Sequence, residues 1–201
     1  MKLILIGLAS YLLGAIPFGL LIARSRGIDI RQHGSGNIGA TNVLRVLGKP
    51  LGIFTFMLDA LKGFGPVFLA MRLVPGQAEA AGLTAGIAAI LGHSFPIYLG
   101  GKGGKGVATS AGVLIGLAWQ AALIGVAVWG AVFFLSRYVS LASILAAAAI
   151  PAVSWILYYP EKLATPIALT LLGLLIILRH RSNLQRLLKG TENRFVKKGK
   201  T

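Results

Sequence analysis

A chain of 201 residues with 56% hydrophobic side chains and a mean hydropathy of +0.79 is too apolar for an ordinary water-soluble domain and reads as an integral membrane protein. Its 20 Lys and Arg against 5 Asp and Glu imply anionic partners, and nucleic acid fits poorly because the basic residues are scattered among apolar spans instead of lining one soluble face. The absence of cysteine removes disulfides, iron–sulfur clusters and thiolate zinc sites.

A helix needs about 20 mostly apolar residues to cross a hydrocarbon core of roughly 30 Å. Residues 2–23 meet that length and form a retained first span, since no small-residue cleavage site precedes a soluble domain. The next segment, 24–50, carries Arg24, Arg26, Arg31, Arg45 and Lys49 around the polar stretch "HGSGNIGATNVLR". Gly34, Gly36 and Gly39 allow close backbone approach, so that successive N–H groups can cradle an anion. Ser35, Asn37, Thr41 and Asn42 add small donors, and Arg45 adds a fixed charge. The same string also fits a tight turn whose polar side chains cap a following helix.

Residues 51–74 form a second span with Asp59 and Lys62 at i and i+3, where isolated charges are costly and normally paired. An ion pair that fixes helix packing is the first reading, and a catalytic Asp59 the second. The third span, 81–99, ends in "GHSFP" with His93, a packed residue or a catalyst. "GGKGGKG" at 100–106 contains G-x-G-x-x-G, yet no strand precedes it within a βαβ unit. Nor is it a Walker loop, because neither Gly-Lys pair is followed by Ser or Thr. What remains is a lysine loop at a helix entrance, where backbone N–H groups favour an anion. Lys105 is the better phosphate ligand and Lys102 the better positive-inside marker.

The stretch 107–135 is long for one span and short for two, and charge decides between them. Basic residues in short loops mark the cytoplasmic side, and a single crossing would put the tail, with Arg179, Arg181, Arg186, Lys189, Arg194, Lys197, Lys198 and Lys200, opposite the other basic segments. Two short helices at 107–117 and 119–136, turning near Gly116, restore parity. Spans at 141–159 and 163–179 complete an all-α integral membrane fold of seven helices, some short or broken, with the N-terminus outside and the C-terminus inside. The expectation is one domain over 1–201, of which 193–201 is a basic cytoplasmic tail. The segments 33–45, 92–106, 137–143 and 179–190 then converge on the cytoplasmic face. The last of these holds His180 between two arginines, with Asn183 three positions later on the same helical face.

These segments together resemble the bacterial membrane glycerol-3-phosphate acyltransferase family that uses acyl phosphate as donor. The resemblance rests on "GSGNIGATNVLR" (34–45), "LDALKG" (58–63), "GHSFP" (92–96), "GGKGVAT" (103–109), "RYVSLAS" (137–143) and "RHRSNLQRLLKGTE" (179–192), in that order over nearly the whole chain. Gly101 departs from it, since the family more often has an aromatic residue before the lysine.

The resemblance implies transfer of a fatty acyl group to the 1-hydroxyl of sn-glycerol 3-phosphate, giving lysophosphatidic acid and inorganic phosphate, at the cytoplasmic face of a bacterial inner membrane. It implies an enzyme without a cofactor or metal, active as a monomer, whose partners are acyl phosphate, glycerol 3-phosphate and membrane lipid. It gives the donor's phosphate to the 34–42 segment, with Gly34, Gly36, Asn37, Gly39, Thr41 and Asn42. The acceptor goes to Ser35, Arg45, Lys105, Ser143, His180 and Asn183, and Lys102, Gly104 and Arg181 flank the substrates. The His-x4-Asp signature of other glycerolipid acyltransferases is missing after His33, His93 and His180. Acyl phosphate is already activated, so direct attack without an acyl-enzyme is expected. The proton goes to the acceptor's own phosphate or to His180. A small transporter of organic phosphates is the rival reading, weakened by the gathering of polar groups on one face.

Overall fold

The computed structural model describes residues 1–195. Lys197, Lys198 and Lys200, and with them most of the expected basic tail, lie outside the described residues. Among the described residues the regular structure is helical: α1 (Lys2–Ala15), α2 (Phe18–Arg24), α3 (Ala40–Leu47), α4 (Lys49–Leu73), α5 (Ala78–Ser94), α6 (Val107–Leu117), α7 (Trp119–Ser136), α8 (Val139–Tyr158), α9 (Ala164–Arg179) and α10 (Arg181–Leu188), with short 3-10 turns at Ile30–Gln32, Pro75–Gln77 and Ile97–Leu99.

Among the described residues five stretches are long and apolar enough to cross a membrane, namely Lys2–Arg24, Lys49–Leu73, Pro75–Leu99, Trp119–Ser136 and Val139–Tyr158. A sixth joins them if Ala164–Arg179 and Arg181–Leu188, bent by 54°, count as one. The seventh expected crossing is α6, whose 11 residues rise about 16 Å, roughly half a hydrocarbon core. All seven expected segments are therefore helical, and five or six of them have the length of a full span.

Two boundaries differ from expectation for identifiable reasons. The span expected to run unbroken over 2–23 parts at Ile16–Pro17: proline has no N–H and forces its predecessor out of the helical region, and Ile16 is extended, with ψ 118°. The turn expected near Gly116 falls at Ala118, where φ is −149°. Gly116 stays helical, and its missing side chain lets Val67 and Phe64 of α4 close in.

The chain divides into two compact units, Met1–Trp119 and the part from Gln120 onward. In the first, α1 lies along α5, and α4 packs on α3, α5 and α6. Small residues make these contacts close, as in membrane bundles generally. A Cβ on Gly63 would strike the Thr109 carbonyl, and one on Gly112 the Ala60 carbonyl. Gly86 meets Val67 and Val113, and Gly82 meets Met71 and Leu117, so α4 and α6 run the same way with α5 against both. The start of α6 is thus level with the middle of α4. Beside this bundle, Leu20, Ala23, Ile30, Ile38 and Val43 form a buried cluster. Each of its Leu, Ile and Val side chains is worth about 1.5–3 kcal/mol when fully buried, and Ile30 and Ile38 plug both ends of the polar loop into it.

In the second unit α8 packs on α9, with Gly173 against the Ala147 carbonyl and Pro151. Arg137 turns α7 into α8 in a left-handed conformation, φ 64°, and its carbonyl accepts the Phe195 N–H at 2.9 Å, which ties the end of the described chain back to this turn.

Candidate active site

The loop 33–42 is held by one buried amide. Asn42, 1% exposed, accepts the Ser35 N–H at 2.8 Å. It donates to the carbonyls of Ile30 at 3.2 Å, His33 at 2.9 Å and Asn37 at 2.9 Å. Gly34 and Gly36 take φ of 61° and 69°, which only glycine adopts freely. Gly39 does not: its φ of −77° is that of an extended N-cap.

This arrangement revises the expected cradle. The Gly36 N–H goes to the His33 carbonyl and the Gly39 N–H to Asn37 Oδ1 at 2.9 Å. Three of the loop's amides, those of Ser35, Gly36 and Gly39, therefore spend their hydrogens inside the loop. Asn42, expected as a substrate donor, instead satisfies the turn, and Asn37 caps it. What the loop offers outward is the exposed Ser35 side chain and the start of α3. There the amides of Ala40 and Thr41 have no carbonyl four residues back within the helix. Arg45 stands half-buried one turn further along α3. Arg31 is already engaged: its guanidinium meets both Asp29 oxygens, at 2.6 Å at the closest. The side-chain hydrogen bond from Arg31, then its backbone N–H, lower the Asp29 carboxyl to about 2.

The lysine loop is pinned from beneath. Gly100, Gly101 and Gly106 are left-handed, and the Gly104 N–H donates to the His93 carbonyl at 3.0 Å. Any Cβ on Gly104 would run into the His93 imidazole, and one on Gly103 into the carbonyls of His93 and Ser94. Lys102 is exposed and Lys105 half-buried. On its other side, His93 Nδ1 lies 3.8 Å from Asp59 Oδ1. Asp59 pairs with Lys62 at 2.8 Å, the two side chains only 2% and 4% exposed, and Lys62 Nζ donates to the Ile16 carbonyl at 2.7 Å. Asp59 and Lys62 thus form a buried ion pair across one turn of α4. The lysine serves both the carboxylate and the Ile16 carbonyl at the break between α1 and α2.

In the second unit, His180 occupies the bend between α9 and α10, 3% exposed. Its Nδ1 lies 2.8 Å from the Ile176 carbonyl. A carbonyl only accepts, so Nδ1 carries the hydrogen and the neutral ring keeps its lone pair on Nε2. The Asn183 N–H donates to the His180 carbonyl at 2.9 Å, which places the two expected residues side by side.

Asn183 Nδ2 donates to Glu192 Oε1 at 2.7 Å. Ser140 Oγ reaches the same oxygen at 2.8 Å, and Arg186 Nε meets Oε2 at 2.7 Å. Burial pushes the Glu192 carboxyl up, but the hydrogen bonds from Asn183, Ser140 and Arg186 outweigh it and hold the group below the usual range. Ser143 donates to the Val139 carbonyl at 2.8 Å and accepts Trp129 Nε1 at 3.1 Å. Arg181 is exposed at the first position of α10. Glu192 and Ser140 were not singled out from the sequence, and Arg186 was read only as one of the tail's basic residues. The available signal was one of only five acidic residues standing directly after a basic helix.

A family model described as glycerol-3-phosphate acyltransferase matches residues 4–190. The glycerol-3-phosphate acyltransferase of Mesorhizobium japonicum is 49% identical over 198 residues, covering 98% of this chain and 98% of the relative. That of Aquifex aeolicus is 44% identical over 195 residues, covering 97% and 100%. Among solved structures, the glycerol 3-phosphate form of PlsY, an integral membrane glycerol 3-phosphate acyltransferase, superposes with a TM-score of 0.91 at 42% identity, covering 98% of this chain and 96% of the other. Its lysophosphatidic acid form gives 0.89 at 41% identity over the same shares.

Proposed function

The chain belongs to the glycerol-3-phosphate acyltransferase family, and on that premise we propose that it carries a fatty acyl group from acyl phosphate to the 1-hydroxyl of sn-glycerol 3-phosphate. The products are lysophosphatidic acid and inorganic phosphate. The observation that carries this reading is the pair of glycine loops in the first unit, each fixed by buried hydrogen bonds and each delivering one half-buried cation, Arg45 or Lys105. Two fixed cations next to backbone donors are what phosphate-bearing substrates require.

In this reading Arg45 binds the acceptor's phosphate through its planar fork and Lys105 as a point charge. Ser35, Ser143, His180 and Asn183 orient the acceptor. The donor's phosphate takes the amides of Ala40 and Thr41 at the entrance of α3, with Gly34, Gly36, Asn37, Gly39 and Asn42 shaping that entrance. Lys102, Gly104 and Arg181 flank the substrates. The acceptor oxygen attacks the acyl carbon, the bond from that carbon to the phosphate oxygen breaks, and phosphate leaves with the electron pair. A mixed anhydride is activated already, so positioning and charge stabilisation supply the acceleration without an acyl-enzyme. The hydroxyl proton passes to the acceptor's own phosphate, whose second pKa is about 6 by analogy with phosphorylated side chains. His180 Nε2 is the competing base, favoured by the Nδ1 hydrogen bond that leaves its lone pair on that atom. Seven helices with the basic segments on the cytoplasmic side of a bacterial inner membrane, and a monomer as the active form, complete the reading.

The test is product formation by the purified protein in detergent, with donor varied. Lysophosphatidic acid from acyl phosphate and none from an acyl thioester supports the donor assignment; product from the thioester with release of thiol overturns it. The base is decided by the pH–rate profile of His180→Gln. A basic limb that persists at reduced rate rejects the histidine, and loss of the limb rejects transfer to substrate.

A further inference from the structure

Asp59, Lys62 and His93 have no part in the reaction as described, yet they form a continuous buried chain that ends on the lysine loop. Lys62 Nζ holds the Ile16 carbonyl and the Asp59 carboxylate. Asp59 faces His93 Nδ1 at 3.8 Å, too long for a hydrogen bond but well within charge–dipole reach. The His93 carbonyl accepts the Gly104 N–H, and the His93 ring fills the space where a Gly104 side chain would stand. We propose that His93, seated on the Asp59–Lys62 pair, is a positioning residue that fixes Gly104 and thereby sets where the neighbouring Lys105 presents its ammonium to glycerol 3-phosphate.

The inference rests on the assignment of Lys105 to the acceptor made above, and it deepens that assignment. Three features support it. First, consecutive Cα atoms are rigidly about 3.8 Å apart, so a shift of Gly104 passes directly to Lys105. Second, Asp59 lies ten residues into α4, about 15 Å from its start. His93 is at the end of α5, and Ile16 is the break after α1. The loop is thereby referenced to three elements of the bundle instead of hanging from its own flanks. Third, the loop's own backbone hydrogen bonds from Gly101 to the Pro96 carbonyl and from Lys102 to that of Leu99 stop short of Gly104, which donates instead to His93. A displacement of about 1 Å at a substrate-positioning group can cost on the order of 100-fold in rate.

The test is a double-mutant cycle read as glycerol 3-phosphate affinity, measured by calorimetry on the full chain in detergent, together with KM for each substrate. His93→Ala is expected to weaken glycerol 3-phosphate binding about tenfold in the wild-type background and less than threefold when Lys105→Ala is already present, because residues acting through one another do not add. KM for glycerol 3-phosphate rises while KM for acyl phosphate stays within about twofold, and His93→Gln, which keeps bulk and polarity, recovers part of the loss. Equal factors in the two backgrounds, or no effect of His93→Ala in either, overturn the inference and leave Lys105 as a ligand. If Lys105→Ala binds as wild type, the assignment of Lys105 falls and the inference falls with it. Where His93→Ala does not fold, the cycle is run with His93→Gln against the same two criteria.

Discussion

Replacing Asn42 with alanine removes the one side chain that closes the polar loop. Its amide gives two hydrogens, shared among the carbonyls of Ile30, His33 and Asn37, and accepts a third from the Ser35 N–H. At about 0.5–1.5 kcal/mol net for each of three hydrogens, the loss is about 2–4 kcal/mol. Gly34, Ser35 and Gly36 are exposed, so water can replace part of what is lost and the expected cost lies toward the lower end. The damage is local, because Ile30, Ile38 and Val43 remain buried in their own cluster. Amide exchange should therefore quicken at Ser35 by about 30-fold or more at one factor of ten per 1.4 kcal/mol, while exchange within α4 and α5 is unchanged. Transfer activity should fall at least tenfold with little change in Tm. Asn42→Asp is the sharper control. It retains the acceptor for Ser35 but sets a carboxylate oxygen against three carbonyls, and should be no better than alanine. If Asn42→Ala keeps both the slow Ser35 exchange and full activity, the amide does not hold the loop and its assigned role is wrong.

Lys62→Met strands the buried Asp59 carboxylate and takes one donor from the Ile16 carbonyl, and should destabilise by about 3–5 kcal/mol, read as a lowered Tm in detergent. Adding Asp59→Asn should recover part of that loss. Glu192 has a folded-state carboxyl held below its ordinary 4.5, so its stabilising effect is present above that value and is lost as pH falls beneath it. Amide exchange in 183–191, corrected for its intrinsic pH dependence, should accelerate as pH falls below about 4.5 and show no such step in Glu192→Gln. Gly112→Ala pushes a methyl into the Ala60 carbonyl, whereas Gly65 has open space at the same position. The first should cost about 1–3 kcal/mol, and Gly65→Ala should be neutral or stabilise by up to about 1 kcal/mol, with opposite Tm shifts as the check.

Hydropathy and charge are sums over many residues, and they placed the apolar helices to within a few positions, including the division at 117–119. Breaks depend on single backbone positions and were harder to read. Pro17 did carry a signal, a missing donor in mid-span, that a count of apolar residues passes over. Ala118 carries none, because nothing in an alanine between Leu117 and Trp119 announces a change of φ. The polar loop showed the opposite difficulty. Its residue types suit both binding and turn formation, and only the burial of Asn42 tells that this amide faces the chain itself. Glu192 escaped for a related reason: its partners, Ser140, Asn183 and Arg186, come from α8 and α10, and no spacing rule connects them. His180 and Asn183 were legible because three residues along one strand of sequence become neighbours wherever helix geometry holds.

The brevity of α6 has an electrical side. A membrane voltage drops across whatever thickness of insulating material lies in its path, and each elementary charge gains about 2.3 kcal/mol per 100 mV across that thickness. α6 begins level with the middle of α4 and rises only about 16 Å, roughly half of a hydrocarbon core. The sequence VATSAGVLIGL places no ionisable group in that gradient. Charge held at the mouth of this helix, beside Gly106, where the loop from Lys105 enters it, would therefore sit part-way along the voltage drop.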